Sequence, residues 1–235
     1  PPPELLPMDR PALVAALRAR IGRLERAGAA AALARGQAGV VPLSDALDAH
    51  LPEGGLPRAA LHEILAAEPG AAAGFAAVIL GRAGGTVLWI AGEPEAWPPG
   101  LARYGLSPAD LVLVRAPRPA DGLWAMEEAL RCPAVAGALL DAPDLDLTAA
   151  RRLQLAAESG GAIGLLLRPD TESPGPSAAL TRWRVDARPG AGSPHHLGDP
   201  HWTLDLLRCR DGTPHSWTTT WPVSYTHLTL PTILR

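Results

Sequence analysis

The stretch LAAEPGAAAGFAAVIL, residues 65–80, is arranged like a phosphate-binding loop that has lost its reactive side chains. Such a loop joins a strand to a helix, and its backbone N–H groups and its lysine bind phosphates. Gly70 and Gly74 are present ahead of an apolar helical run, but Phe75 stands in the lysine position and Ala76 in the hydroxyl position. We therefore predict that the helix start can bind an anion through backbone N–H groups but does not support hydrolysis of a nucleotide.

The composition excludes several classes of function. All 21 basic residues among the 235 of the chain are arginine, which rules out Schiff-base chemistry and a lysine phosphate clamp. The net charge of −3 gives no overall attraction to nucleic acid, so any DNA contact depends on local arginine clusters. No apolar run approaches the ~18 residues of a membrane span, and residues 1–10 lack the features of a signal peptide. We therefore expect a cytoplasmic protein.

The chain divides into three parts. Apolar residues at helical spacing in residues 9–35 predict an N-terminal helical arm over 1–36, followed by a single domain over 37–221. Residues 222–235 change abruptly in composition and resemble the in-frame translation of a sequencing adapter. We expect this tail to be non-native and leave it out of functional arguments.

Apolar strands alternate with helices through the domain, which predicts a mostly parallel sheet covered by helices on both faces. The predicted strands are 60–65, 86–92, 111–114, 135–141 and 162–168, and the predicted helices are 72–82, 123–131 and 147–158. Two later segments, 181–187 and 201–210, alternate polar and apolar residues. They predict an antiparallel C-terminal hairpin at the end of the sheet, with residues 210–217 as a turn after it.

The order of GGLPRAALHEI, the altered loop, TVLWIAGE and AGALLD resembles the RecA-like ATPase core over about residues 40–210. The resemblance implies that Glu93 stands where that core places its water-activating glutamate. It also implies that Asp141 stands where the core places the acid that holds Mg²⁺. Together with Gly70 and Gly74, these residues form a predicted vestigial nucleotide site, for which we expect no cofactor and no catalysis.

Three further stretches, LTAARRLQLAAESGG, TRWRV and LLRCRDGTPHSW, are similar to the ImuA family of small RecA-like proteins. The resemblance implies a non-catalytic accessory role in damage-induced, error-prone translesion DNA synthesis. The implied partners are a polymerase-like protein of the ImuB type, RecA, and an error-prone polymerase III alpha-type subunit. A residual NTP-binding ATPase and a single-stranded-DNA-binding or RecA-modulating module remain as alternatives.

Arginine and tryptophan concentrate near the C-terminal hairpin and predict an interaction surface. Its members are Arg182, Arg184, Arg208, Arg210 and Trp217. On an alternating strand Arg182 and Arg184 share one face and Trp183 points to the other. Both residue types dominate protein interfaces and also serve single-stranded DNA, although solvated arginines on an edge hairpin would give the same pattern. Asp170 and Glu172 in the loop 169–177 would repel phosphates, which makes a recombinase improbable.

Five potential metal ligands lie near the C-terminus but predict no metal site. They are His195, His196, His201, Cys209 and His215. Their spacing matches no common zinc pattern of closely spaced ligand pairs.

Overall fold

An eight-stranded mixed sheet forms the centre of the residues that the computed structural model describes, 39–142, 145–171, 175–190 and 199–222. Its strands are β3 (Leu61–Ala66), β4 (Thr86–Ala91), β5 (Leu111–Arg115), β6 (Val135–Asp141), β7 (Ile163–Pro169), β8 (Thr181–Arg188), β9 (His201–Cys209) and β10 (His215–Thr220). A separate antiparallel pair is formed by β1 (Val40–Val41) and β2 (Leu56–Pro57). The predicted arm 1–36 and all of the predicted tail except Pro222 lie outside the described residues.

Five helices and a short 3₁₀ turn complete the described part of the chain. They are α1 (Asp45–Asp48), the 3₁₀ turn Pro52–Gly54, α2 (Pro69–Ala83), α3 (Pro98–Ala102), α4 (Pro119–Arg131) and α5 (Leu147–Gly160). Proline in the first turn of α2, α3 and α4 is well suited to a helix start, because the first N–H groups have no partner within the helix. None of these helices is long and apolar enough to cross a membrane.

The strand order is β10-β9-β8-β3-β7-β6-β4-β5. The six strands from β8 to β5 run parallel, β9 pairs antiparallel with β8, and β10 pairs antiparallel with β9. The prediction of a mostly parallel sheet with an antiparallel C-terminal hairpin is confirmed. The prediction of a turn over residues 210–217 is wrong in its extent, because residues 215–220 form β10, in which Trp217 pairs with Leu204. Residues 215–220, HSWTTT, form a strand because they pair with the edge of β9 that β8 does not occupy.

The sheet separates two apolar layers. On what we call the first face, α1, α2 and α3 cover the sheet, and the packed side chains include Phe75, Trp183 and Trp202. On the second face, α4 and α5 cover it, with Met126 and Leu153 among the buried residues. Because side chains alternate along a strand, neighbouring residues of β3, β6 and β7 supply both layers. The α2 helix is buried almost all round, since it lies across β3, β6, β7 and β8.

Candidate nucleotide site and interaction surface

The junction between β3 and α2 replaces the predicted phosphate loop. Strand β3 ends at Ala66 and α2 begins at Pro69, so only Ala67 and Glu68 connect them. Gly70 therefore lies in the first turn of α2 and Gly74 in its second, rather than in a loop that wraps around phosphate. Pro69 removes one backbone N–H, and the carboxylate of Glu68 stands next to the helix start, where a phosphate would be repelled.

Gly74 and Phe75 belong to the core of the first face. A Cβ atom on Gly74 would lie 2.9 Å from Cζ2 of Trp202 and 3.0 Å from Cζ of Tyr104. Phe75 is 2% exposed, and its ring centroid lies 5.4 Å from that of Trp183. The glycine thus allows the helix to approach two aromatic rings, and the residue in the lysine position fills the space under α2.

Glu93 and Asp141 line one cavity of about 340 Å³ at the carboxyl ends of β4, β5 and β6. The chain leaves β4 for α3 on the first face and β6 for α5 on the second face. Open α/β sheets bind ligands at such a switch between faces, in the crevice outside the carboxyl ends of the strands. The structure thus brings the two predicted acids to one place, but Gly70 and Gly74 do not line this cavity.

The charges around this cavity are mostly negative. Asp141 has a raised pKa, first because it is partly buried and second because the carboxylate of Glu95 is nearby. Glu93 is engaged by Arg115, whose Nε donates to Glu93 Oε2 at 2.9 Å in an exposed ion pair. No arginine is found among the described residues that line the cavity. The described residues contain no group of three or more His, Cys, Asp or Glu side chains that could hold a metal ion.

Two of the predicted surface arginines, Arg182 and Arg184, bind other parts of the chain on the second face. Arg182 pairs with the buried Glu63 and also donates to the carbonyl oxygen of Gly175 at 2.6 Å, so that only 12% of its side chain is exposed. Arg184 Nε lies 2.9 Å from Asp170 Oδ2. These contacts secure the segment that crosses from β7 to β8.

The three remaining members of the predicted surface, Arg208, Arg210 and Trp217, are divided between the two faces of the sheet. Arg208 donates to the carbonyl oxygen of Ser177 at 2.8 Å, and Arg210 lies beside it in an open groove. Trp217 packs on the first face, where its ring centroid is 5.8 Å from that of Trp183 and its Nε1 donates to Ala46 O at 3.2 Å. The predicted alternation of Trp183 and the arginines is confirmed, since Trp183 is fully buried. The five residues do not form one continuous patch.

Sequence reasoning missed the polar networks that His62 and Glu63 form in the core. Both residues are fully buried within LHEIL, and two ionisable residues inside an apolar strand were the available signal. Glu63 accepts hydrogen bonds from Arg168 at 2.7 Å and from Arg182. His62 Nε2 donates to Pro57 O at 2.9 Å, and its Nδ1 accepts from the hydroxyl of Thr181 at 2.8 Å. Burial lowers the pKa of His62 to about 4.

Comparison with known proteins places the chain in a family. No protein-family model matches it. It is 39% identical over 191 residues to Protein ImuA of Caulobacter vibrioides strain NA1000 / CB15N, and the match covers 73% of this chain and 78% of that protein. Protein ImuA of strain ATCC 19089 / CIP 103742 / CB 15 shows the same identity and coverage. Similarity at this level over most of both chains means that this chain belongs to the ImuA family.

Proposed function

We propose that this chain is a non-catalytic, RecA-like accessory protein of damage-induced, error-prone translesion DNA synthesis. It binds a polymerase-like partner of the ImuB type, with RecA and an error-prone polymerase III alpha-type subunit as further partners. Membership of the ImuA family supports the setting. The observation that carries the non-catalytic role is the junction of β3 and α2. It consists of Ala67 and Glu68 and is followed directly by Pro69, so an acid and a proline stand where a phosphate cradle would be.

Within the described residues of α2, no cation stands where the lysine of a phosphate-binding loop would be, and this supports the same conclusion. Phosphoryl transfer needs positive charge on the transferring group, which a phosphate-binding loop supplies through its lysine and through Mg²⁺. Phe75 occupies the lysine position, and Arg82 is the next basic residue along α2. Its Nη1 donates to Pro42 O at 3.2 Å and its guanidinium lies 5.1 Å from the ring centroid of Trp221. Arg82 is therefore engaged at the other end of the helix.

The cavity around Glu93 and Asp141 favours a second function, residual nucleotide binding. Its position at the switch between faces is where open α/β sheets bind ligands, and its two acids could accept a Mg²⁺ ion that accompanies a nucleotide. The lack of arginine in its lining argues for the first proposal, because nothing there neutralises a triphosphate.

Calorimetric titration of the purified, folded chain with ATP and Mg²⁺ separates the two functions. We expect no saturable heat. Saturable binding that the Asp141→Asn variant loses would overturn the first proposal in favour of nucleotide binding at the cavity. The accessory role is tested separately by analytical gel filtration of the chain with the polymerase-like partner, from which we expect a stable complex. Independent elution of the two proteins at micromolar concentration would contradict that role.

A further inference from the structure

We infer that a groove on the second face binds an acidic, leucine-containing segment of a partner protein. The groove runs between α5 and residues 176–178, the segment that leads into β8, and the end of β9 closes one side. It is open and has a volume of about 590 Å³. The inference rests on the proposed function in one respect, because it takes the bound segment to belong to a protein partner of this chain.

Three arginines give the groove its charge. Arg151 projects from α5, Arg208 lies near the end of β9, and Arg210 directly follows that strand. Arg208 is held in place by its hydrogen bond to Ser177 O, whereas Arg151 and Arg210 form no ion pair with any described residue. Among the described residues, no carboxylate lines the groove. Three neighbouring cations without a counter-charge repel one another, so bound carboxylates would gain charge-assisted hydrogen bonds and remove that repulsion.

The other surface of the groove is apolar. Leu155 on α5 is 63% exposed, which is unusual for a leucine in a helix that already buries another face against the sheet. Leu147 and Ala178 lie in the same lining. A ligand that carries both carboxylates and an apolar side chain would therefore satisfy both parts of the groove. An amphipathic protein segment has this combination.

The residues that line the groove also disfavour nucleic acid as its ligand. Proteins that bind single strands combine a positive groove with aromatic side chains on which bases stack. In the part of the chain that the structure describes, no aromatic residue lines this groove, and Trp183 and Trp217 lie on the opposite face of the sheet. The arginines therefore fit the carboxylates of a protein better than a phosphate backbone with its bases.

The test uses a fluorescein-labelled peptide of about twelve residues in which glutamate, aspartate and leucine recur, measured by fluorescence anisotropy with the full chain. We expect saturable binding that weakens as salt rises. The Arg151→Glu/Arg210→Glu double variant should bind about tenfold more weakly or worse, because each reversal replaces attraction by repulsion. Leu155→Ser should also weaken binding. The matched control is Arg118→Glu at the residue before α4, because this arginine is also exposed and follows β5, at the opposite edge of the sheet from β9 and β10.

Each outcome decides the inference. Absence of saturable peptide binding, or equal affinity in the wild type and in a double variant whose circular dichroism shows that it is folded, would overturn it. Binding of a thymidine oligonucleotide that the double variant loses, without peptide binding, would assign the groove to nucleic acid instead. The assay uses neither ATP nor the polymerase-like partner. A failed groove therefore leaves the proposed function standing, and a failed complex with the partner leaves the peptide result standing.

Discussion

Two adjacent residues of β3 show how this core accommodates polar groups. His62 points to the first face and Glu63 to the second, as the alternation of a strand requires. The histidine belongs to a chain of hydrogen bonds. In this chain Trp183 Nε1 donates to the hydroxyl of Thr181 at 2.9 Å, and that hydroxyl donates to His62 Nδ1. Since Pro57 O can only accept, the proton of the neutral imidazole lies on Nε2. Every polar atom of this network has a partner.

The buried His62 makes stability depend on pH. Its pKa is about 4 in the folded protein and 6.5 when unperturbed. Between these values the unfolded chain binds a proton that the folded chain does not, so stability is present above pH 6.5 and falls as the pH decreases towards 4. The loss attributable to this group is about 3 kcal/mol. Urea unfolding over this range should show a steeper decrease for the wild type than for His62→Gln, and parallel decreases would contradict the prediction.

Glu63 is expected to matter through the arginines that it neutralises. Arg168 and Arg182 are 16% and 12% exposed, so Glu63→Gln leaves two mostly buried cations without a counter-charge. We expect a loss of about 3–5 kcal/mol in the free energy of unfolding, measured by urea denaturation.

The matched control for Glu63 is Glu93→Gln, which removes the same charge from an ion pair with Arg115 whose side chains are 71% and 65% exposed. That loss should be at most about 1 kcal/mol. Similar losses in the two variants would show that burial of the Glu63 group is not the cause.

The effect of replacing glycine by alanine can be compared at two positions of helix α2, Gly70 and Gly74. A Cβ on Gly70 meets nothing within 4 Å, whereas a Cβ on Gly74 meets the Trp202 ring at 2.9 Å. We expect Gly70→Ala to stabilise the protein by up to about 1 kcal/mol, because alanine favours the helix. We expect Gly74→Ala to destabilise it by about 1–3 kcal/mol through overpacking. Thermal unfolding of the two variants measures the difference, and equal effects would contradict the packing role of Gly74.

Most helices and strands can be predicted from the local sequence pattern, because their pairing in the sheet favours the same structure. Apolar runs such as 86–91 and 135–140 are mostly buried on both faces and are strands in almost any context. Strand β10 differs, since four of its six residues are exposed and its pairing with β9 alone makes it a strand. For the β3–α2 junction, the sequence predicts a phosphate-binding loop without its lysine and its hydroxyl. Its shortness is visible only once the bounds of both elements are known.

Across the whole molecule, the sheet decides which residues can act together. Glu93 and Asp141 meet because β4 and β6 are neighbours, although β5 and α4 lie between them in sequence. The arginine and tryptophan residues of the predicted surface are divided because consecutive strand positions face opposite layers. Trp217 therefore joins the core around α1, while Arg208 and Arg210 turn towards α5. A variant that combines changes on both faces would mix stability with binding, so partner contacts are best tested with Arg210 and Arg151.

The amino-acid sequence alone is enough to predict the fold class, to place Phe75 and Ala76 after Gly74, and to show the similarity to the ImuA relatives. These are properties of residue type and of order along the chain, which need no partner in space. The three-dimensional arrangement is needed to see that Arg182 neutralises Glu63, that Gly74 lies against two aromatic rings, and that Arg151 completes a groove with Arg208 and Arg210. Each of these depends on which strands and helices are neighbours, and long-range pairing is not encoded in any local pattern of hydrophobicity.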